Sequence, residues 1–113
     1  MGGVVTKKAR KAPSGLSRRA QGIWRRVVET WDPEGAGEHH FTLFEEALRS
    51  LDRADQARKY LDEHGLHFLD RFEQPKERPE ASIEHRHRNL FRLYIRDLEL
   101  DADIDPDDDG DDE

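Results

Sequence analysis

The stretch TLFEEALRSLDRADQARKYLDEHG, residues 42–65, is long and regular enough to decide the fold. Its apolar residues recur three and four positions apart, which places them on one face of a helix that packs against an antiparallel neighbour. The spacing predicts a central helix that begins near His39, or at Thr42 where T-L-F-E offers a capping box, and ends at His64. Gly65 is the residue expected just past a helix end. The apolar face consists of Phe44, Ala47, Leu51, Ala54 and Leu61, with Arg58 interrupting the series.

A further helix is predicted on each side of the central one. Ser17 is the expected N-cap of SRRAQGIWRRVVETW, residues 17–31, whose apolar residues cover about 140° of the helix circumference. Residues 65–79, GLHFLDRFEQPKERP, are too short and broken for a helix and predict a short β-hairpin or extended excursion. A last helix of about 18 residues follows Pro79. The predicted fold class is mainly α, with three principal helices and a short β-hairpin or extended excursion before the last helix.

Charge divides the 113-residue chain into three parts. Residues 1–28 contain eight Lys or Arg and no acid, whereas residues 97–113 contain eleven acids and no base. We therefore predict a flexible basic arm over residues 1–15, a helical oligomerisation and DNA-binding domain over residues 16–100, and a disordered acidic tail over residues 101–113. Only 34% of the residues are hydrophobic, and this shortage of core material predicts oligomerisation.

Basic side chains form rows that suit contact with nucleic-acid phosphates. Four arginines of the first helix fall within about 120° of one another, with Gly22 among them to let a phosphate backbone approach, and the arm adds further cations. Three arginines recur every four residues on the last helix, where like charges repel unless something compensates them. The alternatives are solvated faces or, for the last helix, contacts with acidic groups of a neighbouring subunit. The DNA-binding candidates are Lys7, Lys8, Arg10, Lys11, Arg18, Arg19, Arg25, Arg26, Arg88, Arg92 and Arg96.

The apolar faces supply candidates for the core or for a subunit interface. Most aromatic residues recur at helical spacing, which favours packing over base stacking. His87 falls within the apolar stripe of the last helix and is interpreted as a packed or interface histidine. These core or oligomer-interface candidates are Trp24, Trp31, Phe44, Leu51, Leu61, His87, Tyr94 and Leu98.

No pattern in the sequence is typical of an enzyme or a metal site. There is no cysteine, and the paired histidines match no familiar zinc spacing. A Gly-rich phosphate loop and a nucleophile elbow are also missing, so we predict no catalytic residue, no metal and no cofactor. No apolar run approaches the roughly 20 residues of a membrane span, and we expect a soluble, intracellular protein without a membrane partner.

The acidic end, DADIDPDDDGDDE at residues 101–113, has three interpretations. Asp105, Asp107, Asp109 and Gly110 match the opening of an EF-hand loop, but the bidentate Glu of position twelve has no counterpart, so calcium binding is not expected. Dense like charge favours a solvated tail. The tail can also compete with DNA for the basic faces, or dock on a basic patch of a partner protein.

The order and spacing of these landmarks resemble the small terminase subunits of tailed double-stranded DNA phages, in the short family without a separate N-terminal helix-turn-helix domain. The resemblance spans about residues 16–100 and rests on order and spacing rather than on one motif. The last helix of that family usually ends in a Leu-Gly-Leu-like turn, and Glu99 stands at the Gly position here. The matching residues are Leu16, Trp24, Leu61, Gly65, Arg71, Gln74, Pro75, Pro79, Leu98 and Leu100.

What the resemblance implies is a non-enzymatic subunit of a phage DNA-packaging motor. Such a subunit assembles into a ring, recognises double-stranded viral DNA, and recruits or regulates the large terminase subunit that holds the ATPase and nuclease. It works in the cytoplasm of the infected bacterial host. The alternative is a helical protein-interaction module, such as an acidic-tailed adaptor or an antitoxin-like protein, whose basic N-terminus meets a protein partner.

Overall fold

The part of the chain that the computed structural model describes, residues 10–31, 37–100 and 104, is mainly helical. A two-stranded antiparallel hairpin lies between the second and third helices, which confirms the predicted fold class at the level of a single chain. The elements are α1 (Arg18–Val28), α2 (Glu38–His64), β1 (His67–Leu69), β2 (Pro75–Glu77) and α3 (Pro79–Asp97).

The helix boundaries follow the local signals of the sequence. Helix α2 ends at His64, and Gly65 takes a φ of 88° while its N–H donates to the carbonyl of Leu61. Glycine suits this position because it has no Cβ atom, so a positive φ carries no steric penalty. Helix α3 begins at Pro79, whose fixed φ and missing N–H cost nothing in a first helical turn.

Helix α1 starts as predicted and ends three residues early. The hydroxyl of Ser17 accepts a hydrogen bond of 3.0 Å from the N–H of Ala20, so the predicted N-cap is confirmed. The predicted extension to Trp31 is wrong, because the helix stops at Val28. Thr30 N–H donates to the Val27 carbonyl three residues back, so the last turn is tighter than an α-helix.

Contacts between α1 and α2 run in opposite order along the two helices. Ser17, before α1, bonds to Asp52 in the middle of α2, whereas Trp24 stacks on Phe44 nearer the start of α2, with ring centroids 5.4 Å apart. The two helices are therefore antiparallel. Helix α1 covers the first part of α2 and leaves the segment near His64 without a partner from α1.

Helix α3 also lies antiparallel to α2. Arg88 of α3 pairs with Asp55 of α2 at 3.3 Å, and Glu84, one turn earlier on α3, meets Arg58, which comes one turn later on α2. The β-hairpin therefore reverses the chain at the far end of a long helical pair. This arrangement confirms that the central helix packs against an antiparallel neighbour.

Apolar side chains from all three helices form one core. The expected α2 positions are buried, and Ala57 continues their spacing beside Arg58, whose exposed side chain forms ion pairs outside the seam. Trp31 and Tyr94 are partly buried against the same cluster. The fully packed members are Leu16, Ala20, Ile23, Trp24, Val27, Val28, Phe44, Ala47, Leu48, Leu51, Phe91, Ile95, Leu98, Leu100 and Ile104.

A left-handed turn follows α3. Glu99 has a φ of 61°, the N–H of Glu99 donates to the Arg96 carbonyl, and the N–H of Leu100 donates to the Ile95 carbonyl. This pattern reverses the chain at a helix end and buries Leu100. Glu99 thus adopts a backbone conformation that favours glycine.

Replacing Glu99 by glycine is expected to stabilise the protein by about 0.5–1 kcal/mol. A side chain in the left-handed region costs about 1–2 kcal/mol, and glycine removes that cost while losing more backbone entropy on folding. Urea denaturation followed by circular dichroism measures the gain. The Glu99→Ala variant removes the same charge but keeps the Cβ atom, so an equal gain in that variant would assign the effect to charge and contradict the conformational explanation.

Candidate nucleic-acid interface

The exposed basic residues of α1 lie on one side of that helix. Arg18, Arg25 and Arg26 are exposed, whereas Arg19 is only partly exposed. Gly22 is buried, so the interpretation of this glycine as an opening for a phosphate backbone is wrong. Gly22 exposes no side-chain atoms, and the neighbouring side chains of the helix cover its backbone. The accessible part of the α1 row therefore consists of its three exposed arginines.

Arg10, predicted as part of a flexible arm, is packed against the helical domain. Its guanidinium donates to both carboxylate oxygens of Glu38, at 3.1 and 2.7 Å, and its Cζ lies 4.1 Å from the centroid of the Phe41 ring. Its carbonyl oxygen accepts a hydrogen bond of 2.8 Å from Nε1 of Trp24. Hydrogen bonding to Glu38 raises the pKa of Arg10, and the same contact lowers the pKa of the Glu38 carboxyl.

The predicted arm therefore meets the domain before its predicted boundary at residue 15. Ala12 packs on the core, and Lys11 remains exposed beside it. Lys7 and Lys8 belong to residues 1–9, which lie outside the described part of the chain. Of the four cations predicted in the arm, the structure thus describes two: Arg10, which forms an ion pair, and Lys11, which is exposed.

Asp55 of α2 connects the two outer helices. Nη1 of Arg19 on α1 donates to both of its oxygens at 2.8 Å, and Nη1 of Arg88 on α3 donates to Oδ1 at 3.3 Å. The three side chains are only 21–29% exposed, so their attraction is less weakened by solvent than that of a surface pair. Arg19 and Arg88 thus hold helices together, a role that sequence reasoning did not assign to them.

The same network extends toward the hairpin. Arg88 also donates to Glu84 one turn before it, at 3.1 Å, and Glu84 accepts from Arg58, which pairs in turn with Asp62. The repulsion expected along the arginine row of α3 is therefore relieved at Arg88 by acids of its own chain. Contact with acidic groups of a neighbouring subunit was one alternative for this row, and at Arg88 the acids belong to the same chain.

Arg92 and Arg96, the other two members of that row, are exposed on α3. Arg92 donates to the side-chain oxygen of Asn89 at 3.3 Å. Within the described residues, neither arginine has a carboxylate partner. Both arginines line a groove of about 540 Å³ whose lining is mostly apolar. The groove is lined by Asn89, Phe91, Arg92, Leu93, Ile95, Arg96 and Ile104.

Ile104 is a buried residue within the predicted acidic tail. It is 5% exposed, belongs to the core, and its N–H donates to the Leu100 carbonyl at 3.1 Å. It lines the groove beside α3 and also a second groove with Arg26, Val27 and Thr30 of the α1 segment. The acidic segment is therefore fixed to the domain at a point between the arginines of α1 and those of α3. The other residues of 101–113, with the EF-hand-like aspartates, lie outside the described part.

His87 lies half-buried on α3, facing α2. Its Nδ1 atom is buried and lacks a hydrogen-bond partner among the described residues. Burial, together with the nearby charges of Arg53 and Arg86, lowers the pKa of His87. The neutral ring is thus favoured over the protonated one.

The β-hairpin presents exposed apolar side chains on a rigid support. Leu69 and Phe72 are 65% and 68% exposed. The Asp70 carboxylate accepts the backbone N–H groups of Phe72 and Gln74, which fixes the turn. Arg78 donates to the carbonyls of His64 and Gly65 at the neck of the hairpin. The hairpin thus exposes two large apolar side chains to solvent.

The described residues offer neither a cluster of metal ligands nor a membrane-spanning helix. Over residues 10–31, 37–100 and 104, no group of three His, Asp or Glu side chains is placed to hold a metal ion. None of the three helices in these ranges is long and apolar enough to cross a bilayer.

Comparison with family models, with curated proteins and with solved structures found no match to this chain. The described cations divide into those held by acids of the chain, such as Arg10, Arg19 and Arg88, and those open to a ligand, such as Lys11, Arg25, Arg92 and Arg96.

Proposed function

We propose that this chain is a DNA-binding small terminase subunit of a phage packaging motor. In this role it has no catalytic residue and acts by position, holding packaging-site DNA and presenting it to the large terminase subunit. A ring assembly supplies many copies of each weak phosphate contact. The work takes place in the cytoplasm of the infected bacterial host.

The exposed pair Arg92 and Arg96 is the observation that carries this proposal. The chain contains enough carboxylates to neutralise Arg88 on the same helix, yet the next two arginines of the row face solvent. Two cations about one turn apart suit successive phosphates, and the exposed arginines of α1 add further contacts. Such contacts position a nucleic acid without reading its sequence.

The local structure of the resembling residues also supports the proposal. Leu61 is buried at the end of α2, Gly65 has a positive φ, and Leu98 and Leu100 are buried after α3. Glu99, at the position where that family usually has glycine, adopts a left-handed conformation that favours glycine.

Reversing the charge of the exposed pair tests the proposal. We expect Arg92→Glu with Arg96→Glu to weaken binding to a fluorescently labelled double-stranded DNA by about tenfold or more at low salt, because two phosphate contacts become repulsive. Fluorescence anisotropy measures the binding, and light scattering checks that the oligomer is unchanged.

The matched control is Lys59→Glu with Lys76→Glu, which alters the net charge equally at exposed positions of α2 and β2. If the control weakens binding equally, overall charge rather than the position of the two arginines explains the effect. Loss of assembly in the Arg92 and Arg96 variant would assign these residues to a subunit interface. A native protein that binds no DNA at low salt would contradict the proposal altogether.

The apolar hairpin favours a second function, a helical protein-interaction module. Exposed side chains such as Leu69 and Phe72 on a fixed turn are typical of a contact with another protein. Within the terminase proposal the same surface joins subunits. A stable monomer across concentrations, measured by light scattering, would favour the interaction module; a high-order ring in electron microscopy would favour the packaging subunit.

A further inference from the structure

Two exposed arginines lie beside the α3 groove, and the chain carries a concentrated source of carboxylates. Residues 1–100 have two more basic than acidic side chains, so the net charge of −7 comes from the nine acids of residues 101–113. Arg92 and Arg96 are exposed at the groove. Neither of them has a carboxylate partner among the described residues. The body and the tail of the protein are thus electrostatically complementary.

Ile104 fixes where this acidic segment starts. Ile104 lines the groove beside Arg92 and Arg96. Consecutive Cα atoms are about 3.8 Å apart, so the residues that follow Ile104 start beside this groove. Acids that begin at the wall of the groove have a high effective concentration for its arginines. A free acidic peptide would first have to pay the entropy of association.

The length of the remaining chain is sufficient to reach the whole row. Nine residues follow Ile104, and seven of them are acidic. Fully extended, they span about 30 Å. The four residues from Arg96 back to Arg92 rise only about 6 Å along α3. Several carboxylates can therefore meet both guanidinium groups at once.

We propose that residues 105–113 dock in cis on the groove bordered by Arg92 and Arg96 and act as an internal competitor of DNA. The contact is carboxylate to guanidinium, with Ile104 as its apolar anchor. The competition with DNA rests on the proposed function, whereas the docking of the tail does not. A DNA ligand with many phosphates displaces the tail, while weak non-specific contacts do not.

The test uses the full-length protein and a variant with four neutralised tail acids, Asp107→Asn, Asp108→Asn, Asp109→Asn and Asp111→Asn. We expect the ¹⁵N-detected Nε–Hε resonances of Arg92 and Arg96 to shift between the two proteins, with assignments from Arg92→Lys and Arg96→Lys. Unshifted resonances at both arginines would overturn the proposal. DNA affinity of the neutralised variant should rise by about three- to tenfold at low salt, a gain that high salt removes.

The matched control neutralises four exposed acids of α2 and the hairpin, Glu46→Gln, Glu63→Gln, Glu73→Gln and Glu77→Gln, for an equal change in net charge. If this control shifts the same resonances or raises DNA affinity equally, overall charge explains the result and the proposal fails. Shifts that depend on protein concentration would place the tail on a neighbouring copy and overturn docking in cis. Arginine shifts without DNA binding by any variant would support the docking and refute the proposed function.

Discussion

Replacing Trp24 by alanine is expected to destabilise the protein by about 3–5 kcal/mol, a large part of the total stability of a small domain. Trp24 is 1% exposed and stacks on Phe44, and its ring also lies 6.0 Å from that of Phe41. The substitution removes the largest core side chain and leaves a cavity between α1 and α2. Urea denaturation followed by far-ultraviolet circular dichroism measures the loss.

The Trp24→Phe variant is the control that separates packing from hydrogen bonding. It keeps an aromatic ring against Phe44 but removes the Nε1 donor to the Arg10 carbonyl, so we expect a loss of about 1–2 kcal/mol. Trp31 becomes the only tryptophan and reports on the α1 end by fluorescence. A loss below about 1 kcal/mol for Trp24→Ala would contradict the position of this ring at the centre of the core.

The elements of the fold were predictable because their signals are local. Ser17, Gly65 and Pro79 mark helix ends by their own backbone and capping properties, without reference to distant residues. The spacing of the α2 apolar residues indicates an antiparallel helical partner in the same way. The early end of α1 at Val28 was missed because apolar spacing continues to Trp31, whose ring packs on Phe41 from outside the helix.

The division of the arginines could not be predicted from the sequence. Arg19, Arg88 and Arg92 are all arginines on the polar faces of their helices. Only the register between the helices decides which of them meets Asp55. The periodicity of one helix contains no information on that register. Arg10 is a similar case, because its partner Glu38 is 28 positions away in the sequence.

The ion-pair network leaves the candidate surface smaller and more specific than the sequence indicates. Three predicted DNA contacts, Arg10, Arg19 and Arg88, form ion pairs with acids of the same chain. The two exposed arginines of α3 border the groove that Ile104 also lines. The structure thus places Ile104 at the same groove as Arg92 and Arg96, whereas the sequence assigns Ile104 and the α3 arginines to separate regions.

Replacing Asp52 by alanine is expected to cost about 2–3 kcal/mol, although sequence reasoning gave this residue no role. Asp52 is 8% exposed and accepts two hydrogen bonds, from the backbone N–H of Ser17 at 2.8 Å and from the hydroxyl of Ser17. The hydroxyl oxygen accepts in turn from the N–H of Ala20. One carboxylate of α2 therefore fixes the N-cap of α1, and its loss leaves a backbone donor without an acceptor.

A double-mutant cycle of Asp52→Ala with Ser17→Ala checks this linkage, with stabilities measured by urea denaturation. Ser17→Ala alone should cost about 1 kcal/mol, the usual loss for an N-cap side chain. Because the two residues are in direct contact, the double variant should lose less than the sum of the single losses, by about 0.5 kcal/mol or more. The Asp52→Asn variant keeps one acceptor oxygen, so its stability should lie between those of the native protein and of Asp52→Ala. Strict additivity in the cycle would show that Asp52 stabilises the protein without acting on the start of α1.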